Sequence, residues 1–195
     1  MIDVLVCTMK FAIRITKMLT SLAILTLVLD GNYGMYVWPC SPVLAQYIWY
    51  HRASLKGKTI LEIGAGTSLP GIVAAKCEAT VILSDSSEYP QCLANCAASC
   101  EANNLSNIPV VGSDCFFDTK DFEDIIVTVA FIMKKRPSTE FWCTYQERSS
   151  SRSIEYLLMK WGLESTEIDL ETFEGDSPTW QDQHYLGIIP FTCSL

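Results

Sequence analysis

The chain has 195 residues, 49% of them hydrophobic, with a formal charge of −8 and a pI near 4.7. That is enough chain for one domain with a sizeable buried core. With 22 acidic residues against 14 basic ones, no basic stripe exists to replace phosphate counterions. Direct binding to a nucleic-acid backbone is therefore excluded, and a Lys- or Arg-rich polypeptide suits the surface better.

Residues 1–33 form an atypical leader, in which the apolar run 18–29 follows Lys10, Arg14 and Lys17. The outline is that of a secretory signal. The run is too short to span a bilayer and no clear A-x-A site follows, so a buried strand or an irregular leader is expected rather than export or a membrane association. A turn-rich stretch, Leu29-Asp-Gly-Asn-Tyr33, closes the leader. After Val37-Trp-Pro-Cys-Ser-Pro42, the spacing of Leu44, Ile48 and Trp49 predicts a helix over 43–52. A strand over 58–63, a helix over 69–76, a strand over 80–84 and a helix over 90–104 follow. A short strand over 108–111 leads to a helix over 119–134, with Phe122, Ile125, Ile126, Val129 and Ile132 at helical spacing. A strand over 139–145 and a helix over 153–161 come next. The chain then alternates over 163–170 and, past the polar loop 174–183, over 184–192. Alternating strands and helices with a hairpin-like finish predict an α/β fold: a Rossmann-like doubly wound sheet with an antiparallel C-terminal edge, formed by residues 34–195 as a single domain.

The nine cysteines do not read as a disulfide framework. Cys92, Cys96 and Cys100 recur every four residues and share one helix face, as small buried hydrophobes do. An odd total in an enzyme-like chain fits a reducing compartment. There is no C-x-x-C, and the two histidines, His51 and His184, are far apart in sequence, so no metal site is expected.

The chemistry gathers at Leu61-Glu-Ile-Gly-Ala-Gly-Thr-Ser-Leu-Pro-Gly71. Here an apolar strand passes through Gly64 and Gly66 into an apolar helix. Without Cβ atoms, backbone there can come close to a ligand. About twenty residues on, the next strand ends in Ser84-Asp-Ser-Ser87, where Asp85 is placed to accept hydrogen bonds from both hydroxyls of a ribose. A dinucleotide site wants G-x-G-x-x-G, but the glycine after Gly66 is Gly71, two places late. Glu62, two residues before Gly64, completes an E-x-G-x-G pattern, with a carboxylate near the loop able to organise a cationic amino-acid moiety. The pattern predicts S-adenosylmethionine (SAM) as the cofactor and disfavours a nicotinamide.

From Gly34 to about Trp161 the chain resembles the seven-strand methyltransferase-like proteins related to the family-16 protein methyltransferases. The resemblance is carried by Gly34-Met-Tyr-Val-Trp-Pro-Cys40, Leu61-Glu-Ile-Gly-Ala-Gly66, Ser68-Leu-Pro-Gly71, Leu83-Ser-Asp-Ser-Ser87, Ser113-Asp-x-Phe-Phe117 and Thr144-Tyr-Gln-x-Arg148. It implies that Glu62, Gly64, Gly66 and Asp85 form the SAM pocket, with Trp38 lying across the cofactor and Ser86 and Ser87 beside the adenine edge. It also implies that Asp114, Phe116 and Phe117 sit at the carboxyl end of strand four over the methyl group, where a carboxylate and aromatic faces hold a cationic nitrogen. Tyr145 and Arg148 would lie on the substrate side. The implied activity is SAM-dependent methylation of arginine or lysine in a basic polypeptide such as a histone tail. Arginine is favoured through the resemblance, with a role in transcription regulation and residence in nucleus and cytoplasm.

One departure from the family stands out. In the family it resembles, strand three is followed by a Trp-Gly motif, a loop and a separate strand four ending in Ser-Asp; here Val110-Val-Gly112 runs straight into Ser113-Asp114, so against that pattern about two dozen residues are missing. A parallel crossover needs about a dozen residues or more, so strands three and four cannot both fit. One strand must serve for two, or the sheet has a gap and is one strand short. The alternative function is a catalytically impaired methyltransferase-like protein that acts as a partner in a transcription-factor or chaperone complex.

Overall fold

The computed structural model describes residues 4–8, 37–38, 40–105, 108–112, 122–146, 154–175 and 188–194. Its elements in chain order are β1 (Val4–Thr8), α1 (Cys40–Tyr50), α2 (Arg52–Leu55), β2 (Thr59–Ile63), α3 (Leu69–Lys76), β3 (Thr80–Asp85) and α4 (Pro90–Ala102). Then come β4 (Val110–Gly112), α5 (Phe122–Lys135), β5 (Glu140–Gln146), α6 (Glu155–Trp161), β6 (Glu164–Glu167), a 3-10 turn (Leu170–Phe173) and β7 (Ile188–Ser194). The apolar run 18–29 lies outside the described residues. Among those that are described, no helix is long and apolar enough to cross a membrane.

Seven strands form one sheet in the order β4-β3-β2-β1-β5-β7-β6. The first five run parallel, and β7 pairs antiparallel with both β5 and β6. The doubly wound sheet with an antiparallel edge is the fold class expected from the alternation of elements. The expected strand over 163–170 is shorter than the pattern suggested: pairing stops at Glu167, and Leu170–Phe173 turns back as a 3-10 helix. Phe173, fully buried, packs edge-on against Tyr47 of α1 at 5.1 Å between ring centroids.

Two expectations are corrected by the sheet. The leader was set apart from the domain at residue 33, yet Val4–Thr8 form the strand between β2 and β5, near the centre. Val4 to Cys7 pair with Ile60 to Ile63 on one side, and Val4 to Thr8 with Glu140 to Thr144 on the other. The sheet is also not one strand short. Among the described residues between β3 and α5 there is one strand, β4, in keeping with a stretch too short for a further parallel crossover. That strand takes the edge beside β3, and the apolar Val-Leu-Val-Cys segment fills the position that would otherwise expose two unpaired edges.

Period-two alternation divides the core. Along β5, Phe141 and Cys143 point into a cluster with Ile125, Ile126, Val129 and Met133 of α5 and Leu158 of α6. Trp142 points the other way, into a larger cluster with α1, α3 and Cys96 and Cys100 of α4. Helix α5 reads as expected: its buried residues recur at i, i+3, i+4 and i+7, with Glu123 and Asp124 in the first turn and Lys134 and Lys135 in the last, as the helix dipole favours. Glu123 also meets Lys160 Nζ and accepts from Trp161 Nε1, which ties α5 to α6.

Candidate active site

The loop after β2 is shaped by its glycines. Gly64 (φ 69°) and Gly66 (φ 52°) both lie in the left-handed region, which a Cβ disfavours. Ser68 shares that region (φ 62°) at the N-cap of α3, an uncommon setting for a residue with a side chain and one that marks a locally over-determined turn. Backbone bonds close the turn: Ala65 N donates to Ser84 O at 2.9 Å, and Ser68 N to Ala65 O at 2.6 Å.

Asp85 ends β3 beside this loop and is 8% exposed. Its Oδ2 accepts the Gly66 N–H at 2.6 Å, and its Oδ1 accepts the Ser86 N–H at 2.7 Å. These two backbone bonds fix the orientation of the carboxylate at the tip of β3. Ser86 is buried, and its hydroxyl accepts the Glu88 N–H at 3.2 Å, while Ser87 is exposed on the turn leading to α4. The structure thus brings Gly64, Gly66, Asp85, Ser86 and Ser87 to the carboxyl ends of two neighbouring parallel strands. In open α/β sheets that crevice is where ligands bind.

Glu62 stands differently. It is fully buried, and its Oε2 accepts the Gly71 N–H at 2.9 Å in the first turn of α3. The geometry gives this carboxylate a backbone partner on α3, which fixes how the helix leaves the glycine loop. Gly71 is the glycine that sequence spacing marked as two places late. A Cβ there would come within 2.4 Å of both Glu62 Oε2 and Leu83 Cδ2, so the close approach of α3 to β2 and β3 requires glycine.

Trp38 is half-buried just ahead of α1, and its carbonyl accepts the Ser41 N–H at 2.8 Å. Sequence reasoning missed what holds this segment to the sheet: the buried Thr144 hydroxyl donates to Cys40 O at 3.0 Å, from the carboxyl end of β5. Tyr145 is the next residue of β5, paired through its backbone with Ile189; its side chain is not among the described features. Asp114, Phe116, Phe117 and Arg148 lie outside the described residues. The strand that leads toward Asp114 is nonetheless placed, with Gly112 paired to Asp85. The slot between β2 and β5 lies three strand positions away, about 14 Å at the usual spacing, and it is occupied by β1.

A glycine turn that exposes backbone, with a carboxylate at the next strand's tip, fits an adenosine with an amino-acid tail: hydroxyls for the carboxylate, a zwitterion for backbone donors. Among the described residues no group of three or more His, Cys, Asp or Glu is gathered as a metal site.

Comparison with known proteins agrees with this geometry. The lysine methyltransferase family profile matches residues 19–109. The histone-arginine methyltransferase METTL23 of Xenopus laevis is 53% identical over 171 residues, covering 77% of this chain and 73% of its own. The human protein of that name is 53% identical over 163 residues, 73% of this chain and 86% of its own. A Nostoc punctiforme crystal structure assigned as an O-methyltransferase shares the fold, with a TM-score of 0.54 at 12% identity over 80% of this chain and 57% of that one. The frog alignment spans 171 positions but only 77% of 195 residues, about 150, so some twenty positions of that relative face no residue here, in keeping with a shortened chain. The chain belongs to the METTL23 branch of the family-16 protein methyltransferases, which transfer a methyl group from S-adenosylmethionine.

Proposed function

We propose that this protein methylates arginine side chains in a basic polypeptide, a histone tail first among candidates. The single observation that carries the acceptor is the 53% identity to proteins named histone-arginine methyltransferases. The charge of −8 supports a basic substrate. Nuclear as well as cytoplasmic residence, and a part in transcription regulation, go with a histone substrate. A transcription-factor or chaperone partner is compatible with the same acidic surface.

In this reading Asp85 accepts the ribose hydroxyls, the Gly64–Gly66 backbone borders the methionine end, and Ser86 and Ser87 border the adenine. Glu62 holds α3 in place behind the loop, and Trp38 covers the cofactor. Asp114, Phe116, Phe117 and Tyr145 hold and flank the acceptor nitrogen. When bound, SAM supplies a methyl group already activated by its sulfonium. The protein's work is then to align the acceptor nitrogen, exclude water and take the proton that nitrogen releases.

The test is transfer of labelled methyl from SAM to histone octamers and to H3 peptides with each arginine replaced by lysine. Label recovered as methylarginine supports the reading. Label recovered as methyl-lysine would move the acceptor to the family profile's named residue. SAM binding without transfer would favour the catalytically impaired alternative, for which the edge position of the strand leading to Asp114 is the structural argument.

A further inference from the structure

Gly66 is gripped from two directions. Its N–H donates to Asp85 Oδ2 at 2.6 Å, and its carbonyl accepts the Cys96 S–H at 3.2 Å. Cys96 is completely buried on α4, on one face with Cys92, Asn95, Ser99 and Cys100. The mechanism above uses Asp85 but gives the thiol no part.

We propose that Cys96 is a positioning residue for the cofactor site: its S–H fixes the Gly66 carbonyl toward α4 and so holds the loop 64–68 in the conformation that receives SAM. This rests on reading that loop as the SAM-binding turn.

Glycine has more backbone freedom than any other residue, and a loop that must be ordered on binding loses affinity for that reason. Anchoring both polar groups of Gly66 removes the freedom beforehand. The thiol is available as a donor because it stays protonated. Burial pushes its pKa strongly up, against a smaller opposing pull from the Ser68 hydroxyl and with added push from the Asp85 and Glu62 carboxylates. The partners sit thirty residues apart, on different elements, so the bond also couples the packing of α4 to the loop.

Cys96→Ala and Cys96→Ser in the full chain test this with two readouts: amide exchange of residues 64–68 without cofactor, and calorimetric SAM affinity. Cys96→Ala speeds exchange of the loop and weakens SAM by about 2- to 10-fold, the loss expected for one hydrogen bond. Cys96→Ser keeps a donor and returns both readouts to near the parent values. A purely structural cysteine gives another pattern: both variants melt lower, serine no better than alanine because it buries a hydroxyl, and SAM affinity is unchanged. That pattern overturns the proposal, as does loop exchange unchanged in Cys96→Ala. If the parent protein binds no SAM while exchange still responds to the substitutions, the reading of the loop as a cofactor turn falls and takes the positioning role with it.

Discussion

Glu62 Oε2 accepts the Gly71 N–H at 2.9 Å, and a Cβ on Gly71 would stand 2.4 Å from that same oxygen. The contact leaves no room for a side chain, because Leu83 closes the space from β3 at the same distance. Gly71→Ala should therefore destabilise the protein by about 1–3 kcal/mol, the usual cost of overpacking a core. Chemical denaturation would show it as a lower midpoint. A variant as stable as the parent would mean that α3 sits farther from β2 than described.

A second expectation concerns the first strand. Every interior N–H of a strand flanked on both sides goes to one neighbour or the other, so proline is not tolerated there. Val6 lies opposite Glu62 on one side and Trp142 on the other. Val6→Pro should cost about 3 kcal/mol or more. It should also speed amide exchange across 60–63 and 140–144 before that of β3. Unchanged protection in those segments would remove Val4–Thr8 from the sheet.

Burial makes a prediction for the thiols. Cys40, Cys77, Cys92, Cys96, Cys100, Cys143 and Cys193 are free and buried. Burial raises the pKa of Cys77, Cys96 and Cys100, and it pushes Cys193 up to about 12 with help from neighbouring Cys143. No more than two of the nine cysteines should react with a disulfide reagent at neutral pH before unfolding. The sign of the pH effect follows. A thiol whose pKa is raised by folding stabilises the native state below its ordinary value of 9.0, and that contribution is lost as pH rises toward the folded value, here about 12 for Cys193. Melting temperature should fall from about pH 9 upward, and Cys193→Ala should flatten part of the decline. Rapid reaction of more than two thiols in the native state would contradict the burial.

Much of this was legible in the sequence because it is local. Gly64 and Gly66 mark a turn that only glycine accommodates easily, and Asp85 falls one strand later, so both ends of the loop follow from spacing. The C-terminal hairpin edge likewise follows from alternation. What was not legible is non-local. Val4–Thr8 are an apolar, β-branched run that suits a strand, but nothing local names the two strands far along the chain that pair with it. The Thr144 bond to Cys40 spans 104 residues, and the Cys96 bond to Gly66 spans thirty. A cysteine on a helix face reads as core in a sequence; the hydrogen bond appears only when the helix is packed.

The most direct measurement is calorimetric titration of the full chain with SAM, beside Asp85→Ala. Asp85 holds the Gly66 and Ser86 amides and, in this account, the ribose, so the substitution should abolish binding while circular dichroism shows a folded α/β protein. Saturable binding by the parent and none by the variant is the predicted result. A folded parent that binds no SAM, or an Asp85→Ala variant that binds as well as the parent, would contradict the account.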